Sequence, residues 1–376
     1  MTGQVATFGP TGALQCGSLP STRTQLGGSS LNQGYDTIIV TPADGRPVVA
    51  FLAASSGTIV NLKVLKCGNA ACSAGNISTF ADITIRSDPF NGIGMAIPSD
   101  GLPVISYFDT VNQDLRVVKC GNASCSSGNT ATSLDTFGSQ GRYSSVAVGA
   151  DGLPVISYWD GSNGHLKIAK CGNAFCTTAS SITTADSAPN VGGYTSIAIP
   201  TDGRPVVAYN TYANAPSGNG AGVKVLKCAN AACTGTPTIT PVETVSNSGR
   251  YISLAIGADG LPVVAYQFLG TAGFAPKVVK CGNSACSSGN TLTEVDVGTQ
   301  NGGQFASIAV PADGRPVLVH SDTPLRFVRC GNASCSSGNQ ATYLVGDNGG
   351  AFSRRWPSLP TVCRSFPTTS PPRLAS

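Results

Sequence analysis

Aromatic, amide, carboxylate and guanidinium side chains recur between the apolar segments of this sequence. Most follow the second apolar segment of successive repeats, and two arginines each precede a tyrosine. The candidate ligand-binding residues are Asp109, Arg142, Trp159, Asp160, Asn210, Tyr212, Arg250, Gln267, Phe268 and Asp322. Aromatic rings stack on the apolar face of a pyranose, and the polar groups hold hydroxyls by hydrogen bonds. These residues therefore predict recognition of a glycan or of a cell-surface protein.

Catalysis makes demands that the sequence does not clearly meet. Glycoside hydrolysis generally uses two positioned carboxyls, and sialidases replace one of them with an activated tyrosine. Asp109 and Asp160 hold equivalent positions in adjacent repeats, but repetition explains them without catalysis. Glu243 and Glu294 lie late in their repeats, away from the expected axis. We therefore assign no catalytic residue and favour a protein that is not an enzyme.

Twelve of the fourteen cysteines form six Cys-x4-Cys pairs. Zinc sites use tighter spacing, whereas two antiparallel strand ends can bring such a pair within disulfide distance. We expect local disulfides at Cys67–Cys72, Cys120–Cys125, Cys171–Cys176, Cys228–Cys233, Cys281–Cys286 and Cys330–Cys335. Disulfides persist in oxidising compartments, so an extracellular or cell-surface location is expected. We expect no metal and no cofactor.

Two further polar positions recur in every repeat. An Asp-Gly pair begins at Asp44, Asp100, Asp151, Asp202, Asp259 and Asp313. Calcium loops need several oxygen ligands, so a structural Asx-type turn is favoured. A basic residue precedes the first cysteine of each pair, at Lys66, Lys119, Lys170, Lys227, Lys280 and Arg329. A ring of such residues would suit a polyanion, but a solvated strand end is the favoured interpretation.

The elements that position these residues are six copies of one unit of 51 to 57 residues. Each copy contains a short apolar segment, the Asp-Gly turn, a Pro-Val-x-x-aromatic segment, a third apolar segment, the cysteine loop and a threonine-rich segment. Four antiparallel strands with both faces apolar are typical of a β-propeller blade. The fold class is therefore all-β, and a β-solenoid is the alternative. Tyr107, Tyr158, Tyr209 and Tyr266 are expected to pack between blades.

The two ends of the chain depart from the repeat. Residues 1–34 are expected to form the outer strands of a partial blade, and residues 35–349 the six repeats of one domain. Residues 350–376 begin a seventh repeat and then read as an out-of-frame, disordered tail. We therefore expect seven blades, one of them composite or damaged, with six blades as the alternative. A disulfide between Cys16 and Cys363 is another way to close the ring.

Composition and charge argue against nucleic acid as a partner and against a membrane span. The net charge is +4 and the basic residues are spread through the repeats, so no nucleic-acid groove is expected. No signal peptide is visible at the start of the sequence, and no apolar run reaches the roughly 18 residues of a membrane span. The oligomeric state is not indicated.

The pattern S-(I/L/V)-A-(I/V)-x-x-D-G-x-P-V-(I/V)-(S/A)-Y, followed by L-K-(V/I)-x-K-C-G-N, covers about residues 35–345. It resembles the repeat of secreted bacterial β-propeller proteins described loosely as sialidase-like or BNR-type. The resemblance implies the propeller fold and surface binding or lectin-like recognition, without shared catalytic residues. We expect an extracellular, non-catalytic recognition propeller. The alternatives are a sialidase-like glycoside hydrolase and a structural module of a larger surface or virion protein.

Overall fold

A computed structural model describes residues 5–8, 14–17, 33–56, 59–83, 92–212, 220–297, 302–321 and 325–343. The chain divides into two compact units, one of Met1–Thr22 with Val345–Ser376 and one of Arg23–Leu344. In the first unit, β1 (Val5–Phe8) and β2 (Leu14–Gly17) pair with each other as an antiparallel hairpin.

The second unit consists of six four-stranded antiparallel sheets, each built from four consecutive strands. We call them blades 1 to 6. Blade 1 has β3 (Gln33–Val40), β4 (Val48–Ser56), β5 (Ile59–Lys66) and β6 (Ile77–Asp82). Blade 2 has β7 (Ile93–Ala96), β8 (Val104–Asp109), β9 (Asp114–Lys119) and β10 (Thr130–Asp135). Blade 3 has β11 (Gln140–Val148), β12 (Pro154–Asp160), β13 (His165–Cys171) and β14 (Ala179–Asp186).

The remaining blades repeat this order. Blade 4 has β15 (Val191–Ala198), β16 (Val206–Tyr212), β17 (Gly220–Lys227) and β18 (Thr238–Glu243). Blade 5 has β19 (Arg250–Ile256), β20 (Pro262–Gly270), β21 (Gly273–Lys280) and β22 (Thr291–Glu294). Blade 6 has β23 (Gln304–Ala309), β24 (Val317–Ser321), β25 (Leu325–Arg329) and β26 (Gln340–Tyr343).

The apolar second strands explain why the blades stack. Strand β8 is buried along its whole length, so alternate side chains pack on both neighbouring blades. One apolar cluster lies at each of the five interfaces from blades 1 and 2 to blades 5 and 6. Tyr107, Tyr158, Tyr209 and Tyr266 are almost fully buried in these clusters, which confirms their predicted packing role.

All six predicted disulfides are present, with Cα atoms 4.7–4.9 Å apart. The asparagine two residues after the first cysteine holds each loop. In blade 3, the Asn173 side chain accepts from the backbone N–H groups of Phe175 and Thr177. The buried Cys120 and Cys125 belong to the apolar cluster between blades 1 and 2. The cysteine loop therefore helps to dock neighbouring blades as well as to close its own hairpin.

The blade count agrees with the six-blade alternative and corrects the seven-blade prediction. Each sheet of the second unit is complete from its own four strands, and β1 and β2 form a sheet of their own. Most of residues 1–34 and the seventh repeat expected at 350–376, including Cys363, lie outside the described residues. The domain boundaries proposed for both ends therefore stay predictions.

First strands of successive blades are neighbours, and residues from the first strands or inter-blade segments of all six blades line one cavity. The loops that join second to third strands, and those that join successive blades, lie at one face, which we call the loop face. The Asp-Gly turns and cysteine loops lie at the other, the turn face. Within the described ranges, no helix has the length and apolarity to cross a bilayer.

Candidate ligand-binding site

A repeated β-bulge near the start of the first strand places one side chain at the axis in each of blades 1, 3, 4, 5 and 6. In blade 3, Arg142 pairs with Trp159 and Ser145 pairs with Ser157, so two residues oppose the single Tyr158. The same register shift occurs in blades 1, 4, 5 and 6. The first bulged residue has a positive φ in every case, which is unusual for bulky side chains. The six equivalent residues are Asp36, Gly92, Tyr143, Tyr194, Tyr251 and Phe305.

Four of these residues form a continuous row of aromatic rings, which we call the aromatic arc: Tyr143, Tyr194, Tyr251 and Phe305. The ring centroids of consecutive members are 4.6, 5.3 and 4.6 Å apart. The rings are tilted against one another, as aromatic pairs prefer. Phe305 at the end of the arc is 54% exposed, so an apolar ring faces solvent at the axis.

Blades 1 and 2 contribute residues without an aromatic ring at the equivalent positions. The backbone N–H of Gly92 donates to Oδ2 of Asp36 at 3.1 Å. A Cβ atom at Gly92 would lie 2.8 Å from Cα of Tyr143, so only glycine allows this approach. The six residues together line an open cavity of about 270 Å³. This cavity is the candidate site.

A second row of side chains continues the arc outward at the loop face. The guanidinium of Arg142 lies 4.9 Å from the Phe108 ring and 5.9 Å from the Trp159 ring. Trp159 in turn lies 6.1 Å from Tyr143, centroid to centroid. The predicted residues Arg142 and Trp159 are therefore brought together beside the arc, and both are partly exposed.

Arg250 is the third predicted residue beside the arc. It precedes Tyr251, and its charge acts on Tyr194 and Tyr251. Burial raises the pKa of the Tyr194 phenol well above its ordinary value, and the charge of Arg250 opposes the shift only in part. The pKa of Tyr251 is raised for the same first reason. Both phenols are therefore neutral at physiological pH.

The two predicted aspartates serve their own loops. Asp160 is buried, and it accepts from Gln140 at 2.8 Å and from the Asn163 side chain at 2.8 Å. Burial alone would raise the pKa of Asp160, but these hydrogen bonds outweigh it and the pKa lies below its ordinary value. Asp109 is fully buried and accepts from Asn112 in the same manner. Both carboxylates order the loop after a second strand.

The remaining candidates divide between blade contacts and undescribed positions. Asn210 donates to the carbonyl of Gly249 at 2.7 Å, and Gln267 donates to the carbonyl of Gly302 at 3.1 Å. Each bond joins one blade to the next. Phe268 is buried, with the Lys277 ammonium 3.7 Å from its ring centroid. Asp322 and the side chain of Tyr212 lie outside the described residues. As ligand contacts, these residues stay predictions.

Sequence reasoning named the arginines beside the arc but missed the arc itself. The signal was available in the aligned repeats: one column reads Asp, Gly, Tyr, Tyr, Tyr, Phe just before the first apolar residues. This column differs from the core positions of the repeat, because it holds aromatic residues in four copies and a glycine or an aspartate in the other two. The bulge that turns this column toward the axis cannot be read from alternation, because alternation assumes an unbroken ladder.

The repeated basic residues have a role that neither interpretation anticipated. Each is buried at the end of a third strand and pairs with the turn aspartate of its own blade at 2.5–2.8 Å. Each turn aspartate also accepts from the backbone N–H two residues ahead at 2.9–3.1 Å, which confirms the Asx-type turn. In blade 3, burial would raise the pKa of Asp151, but the hydrogen bonds from Lys170 and from the backbone N–H of Leu153, together with the charge of Lys170, outweigh burial and lower it.

Carboxylates are sparse at the axis. Among the residues that the structure describes, Asp36 is the only carboxylate that lines the cavity. Glu243 lies at the end of the fourth strand of blade 4, as predicted, where it accepts from Tyr266 and pairs with Lys277 at 2.7 Å. Burial acts to raise the pKa of Glu243, but Lys277 and two backbone N–H groups lower it overall. Glu243 is therefore an ionised interface residue.

No family model matches this sequence, and no curated protein matches it. Solved structures do match its fold. The NanB sialidase of Streptococcus pneumoniae aligns with a TM-score of 0.55 at 8% identity, over 81% of this chain and 68% of the sialidase. The intramolecular trans-sialidase of Ruminococcus gnavus aligns with a TM-score of 0.52 at 8% identity, over 76% and 89%. The fold is a sialidase-like β-propeller.

A protein of unknown function from Dyadobacter fermentans has the same fold. It aligns with a TM-score of 0.51 at 12% identity, over 77% of this chain and 90% of its own. At identities this low, the likeness of a sialidase-like propeller concerns the fold alone. Function must therefore be argued from the axial cavity.

Proposed function

We propose that this protein is an extracellular, non-catalytic propeller that binds glycans at its axial cavity. The observation that carries the proposal is the aromatic arc around a cavity of about 270 Å³. Ligand sites are concave and mostly apolar, with a few convergent polar groups, and this cavity fits that description. Arg142, Trp159 and Arg250 provide further contacts for the part of a glycan that extends over the loop face.

Strain at the axis supports the same proposal. Four aromatic residues hold a left-handed backbone conformation that costs of order 1–3 kcal/mol each. The bulge turns these rings toward the axis, where they line the cavity. Backbone strain of this kind is concentrated at functional sites.

The sialidase-like fold raises glycoside hydrolysis as the second candidate, but the chemistry of the cavity does not favour it. Hydrolysis by the usual route needs two carboxyl groups across the scissile bond. The residues that line the cavity supply Asp36 as a carboxyl and three tyrosines. We therefore expect binding without turnover.

A glycan array with purified, oxidised protein tests the proposal. We expect selective binding that falls about tenfold in Tyr251→Ala and in Trp159→Ala, since each loses one stacking surface. Phe175→Ala is the matched control, because Phe175 is 53% exposed in a cysteine loop on the turn face. This variant should bind like the wild type. Selective binding that survives both axial substitutions would contradict the proposed site.

An assay with fluorogenic glycosides, including a sialoside, separates binding from hydrolysis. We expect no release of fluorophore by the wild type. Release that is abolished in Asp36→Asn would show that the protein is an enzyme and would overturn the non-catalytic proposal. Silence in both the array and this assay would favour a structural module.

A further inference from the structure

The residues that line the axial cavity favour a negative electrostatic potential there. The faces of aromatic rings carry negative electrostatic potential, and the aromatic arc presents four rings to the space that Asp36 borders. The raised pKa values of Tyr194 and Tyr251 keep their phenols neutral, so these two residues add no full charge. Within the described part of the chain, the residues that line the cavity include no Lys or Arg.

We propose that the axial cavity binds an alkylammonium group, either the protonated amine of an amino sugar or a quaternary ammonium substituent on a glycan. Aromatic rings grouped around one carboxylate are the arrangement that attracts such a cation. Asp36 provides a carboxylate at the cavity, and the rings of the arc provide the aromatic surface against which the methylene or methyl groups pack. This inference deepens the proposed function by naming the chemical group that is recognised.

Two arginines lie near the arc, and their positive charges affect how a bound cation would respond to substitutions. Arg250 is outside the cavity lining, but its charge acts on Tyr194 and Tyr251 and therefore opposes a cation at the axis. Arg142 is held between Phe108 and Trp159. Removal of the negative charge at Asp36 should weaken alkylammonium binding, whereas removal of the positive charge at Arg250 should strengthen it.

The experiment compares choline with its uncharged isostere 3,3-dimethylbutan-1-ol by isothermal titration or NMR. We expect choline to bind about tenfold more tightly than the isostere. Asp36→Asn retains an oxygen that can accept from Gly92, so its fold should survive, and it should reduce the preference for choline severalfold. Arg250→Gln should increase choline affinity. Equal binding of both compounds, or choline affinity unchanged by Asp36→Asn, would overturn the inference.

A second comparison uses glucosamine and N-acetylglucosamine at about pH 6, where the free amine is protonated. We expect glucosamine to bind more tightly, and Tyr251→Ala to weaken it with no change in thermal stability beyond that of Tyr251→Phe. Failure of this inference is distinct from failure of the proposed function. If array glycans bind at the axis but the protein does not discriminate between the two compounds of either pair, the alkylammonium proposal is wrong and the proposal of glycan binding stands. If choline binds and no glycan of the array binds, the result supports the alkylammonium site and contradicts the proposal of glycan binding.

Discussion

Five carboxylates connect successive blades through their side chains. Each lies at or just after the end of a fourth strand and binds an aromatic or imidazole group and a basic group of the next blade. The sets are Asp82 with Tyr107 and Arg116, Asp135 with Tyr158 and Lys167, Asp186 with Tyr209 and Lys224, Glu243 with Tyr266 and Lys277, and Asp296 with His320 and Arg326. Buried charges are tolerated here because each is paired and hydrogen-bonded.

The four tyrosines of these sets predict a loss of stability in alkali. Burial first, and the neighbouring carboxylate second, raise the pKa of each phenol far above its ordinary value of 10.0. In the unfolded chain these phenols ionise near their ordinary pKa. The stabilisation is therefore complete below about pH 10 and is lost as the pH rises further.

Absorbance of tyrosinate and far-ultraviolet circular dichroism, recorded together during an alkaline titration, check this prediction. We expect part of the tyrosine signal to appear only with cooperative unfolding. In Tyr158→Phe, the tyrosinate amplitude at that transition should decrease. A smooth titration of all ten tyrosines near the ordinary pKa, with an intact fold, would contradict the assignment.

At the scale of the elements, a glycine just before the axial bulge sets how closely two blades approach. A Cβ atom at Gly192 would lie 2.9 Å from Cα of Leu166 in the preceding blade. Gly141 has the same relation to Leu115, at 2.6 Å. Both glycines have φ above +100°. The first strands of blades 3 and 4 can therefore pass close to the third strand of the preceding blade.

Substitution of two glycines separates close approach from backbone strain. Gly192→Ala should lower the free energy of unfolding by about 3 kcal/mol or more, because strain and overlap with Leu166 add. Gly203→Ala is the control, since Gly203 has φ +71 and open space within 4 Å. It should cost about 1 kcal/mol. Chemical denaturation measures both, and equal losses would show that the approach to Leu166 carries no energy.

At the scale of the molecule, the repeat made most of the architecture predictable. Six Asp-Gly turns and six cysteine pairs in register required four strands per copy, and the structure confirms both the strands and the disulfides. The number of blades was harder to predict from the sequence. The N-terminal Leu14–Gly17 resembles a third strand but pairs with Val5–Phe8, and sequence resemblance does not specify a pairing partner.

The contacts that side chains make were harder to predict from the sequence than the strands were. Lys170 and Asp151 are 19 residues apart, yet they meet because the second and third strands bring the two ends of a hairpin to one face. Asp109 and Asp160 carry the chemistry of a ligand site but order their own loops. The aromatic arc depends on a bulge in each of its blades, which a binary pattern of apolar and polar residues does not encode.

The central claim is that residues from all six blades, five of them at a β-bulge, line one axial cavity that binds a glycan. The most direct test is a crystal structure of the protein with the glycan that the array selects. The account predicts ligand density at the axis, in contact with Tyr251 and Phe305 and within reach of Asp36. Density confined to the turn face, or to the outer strands with the axial cavity unchanged, would contradict it.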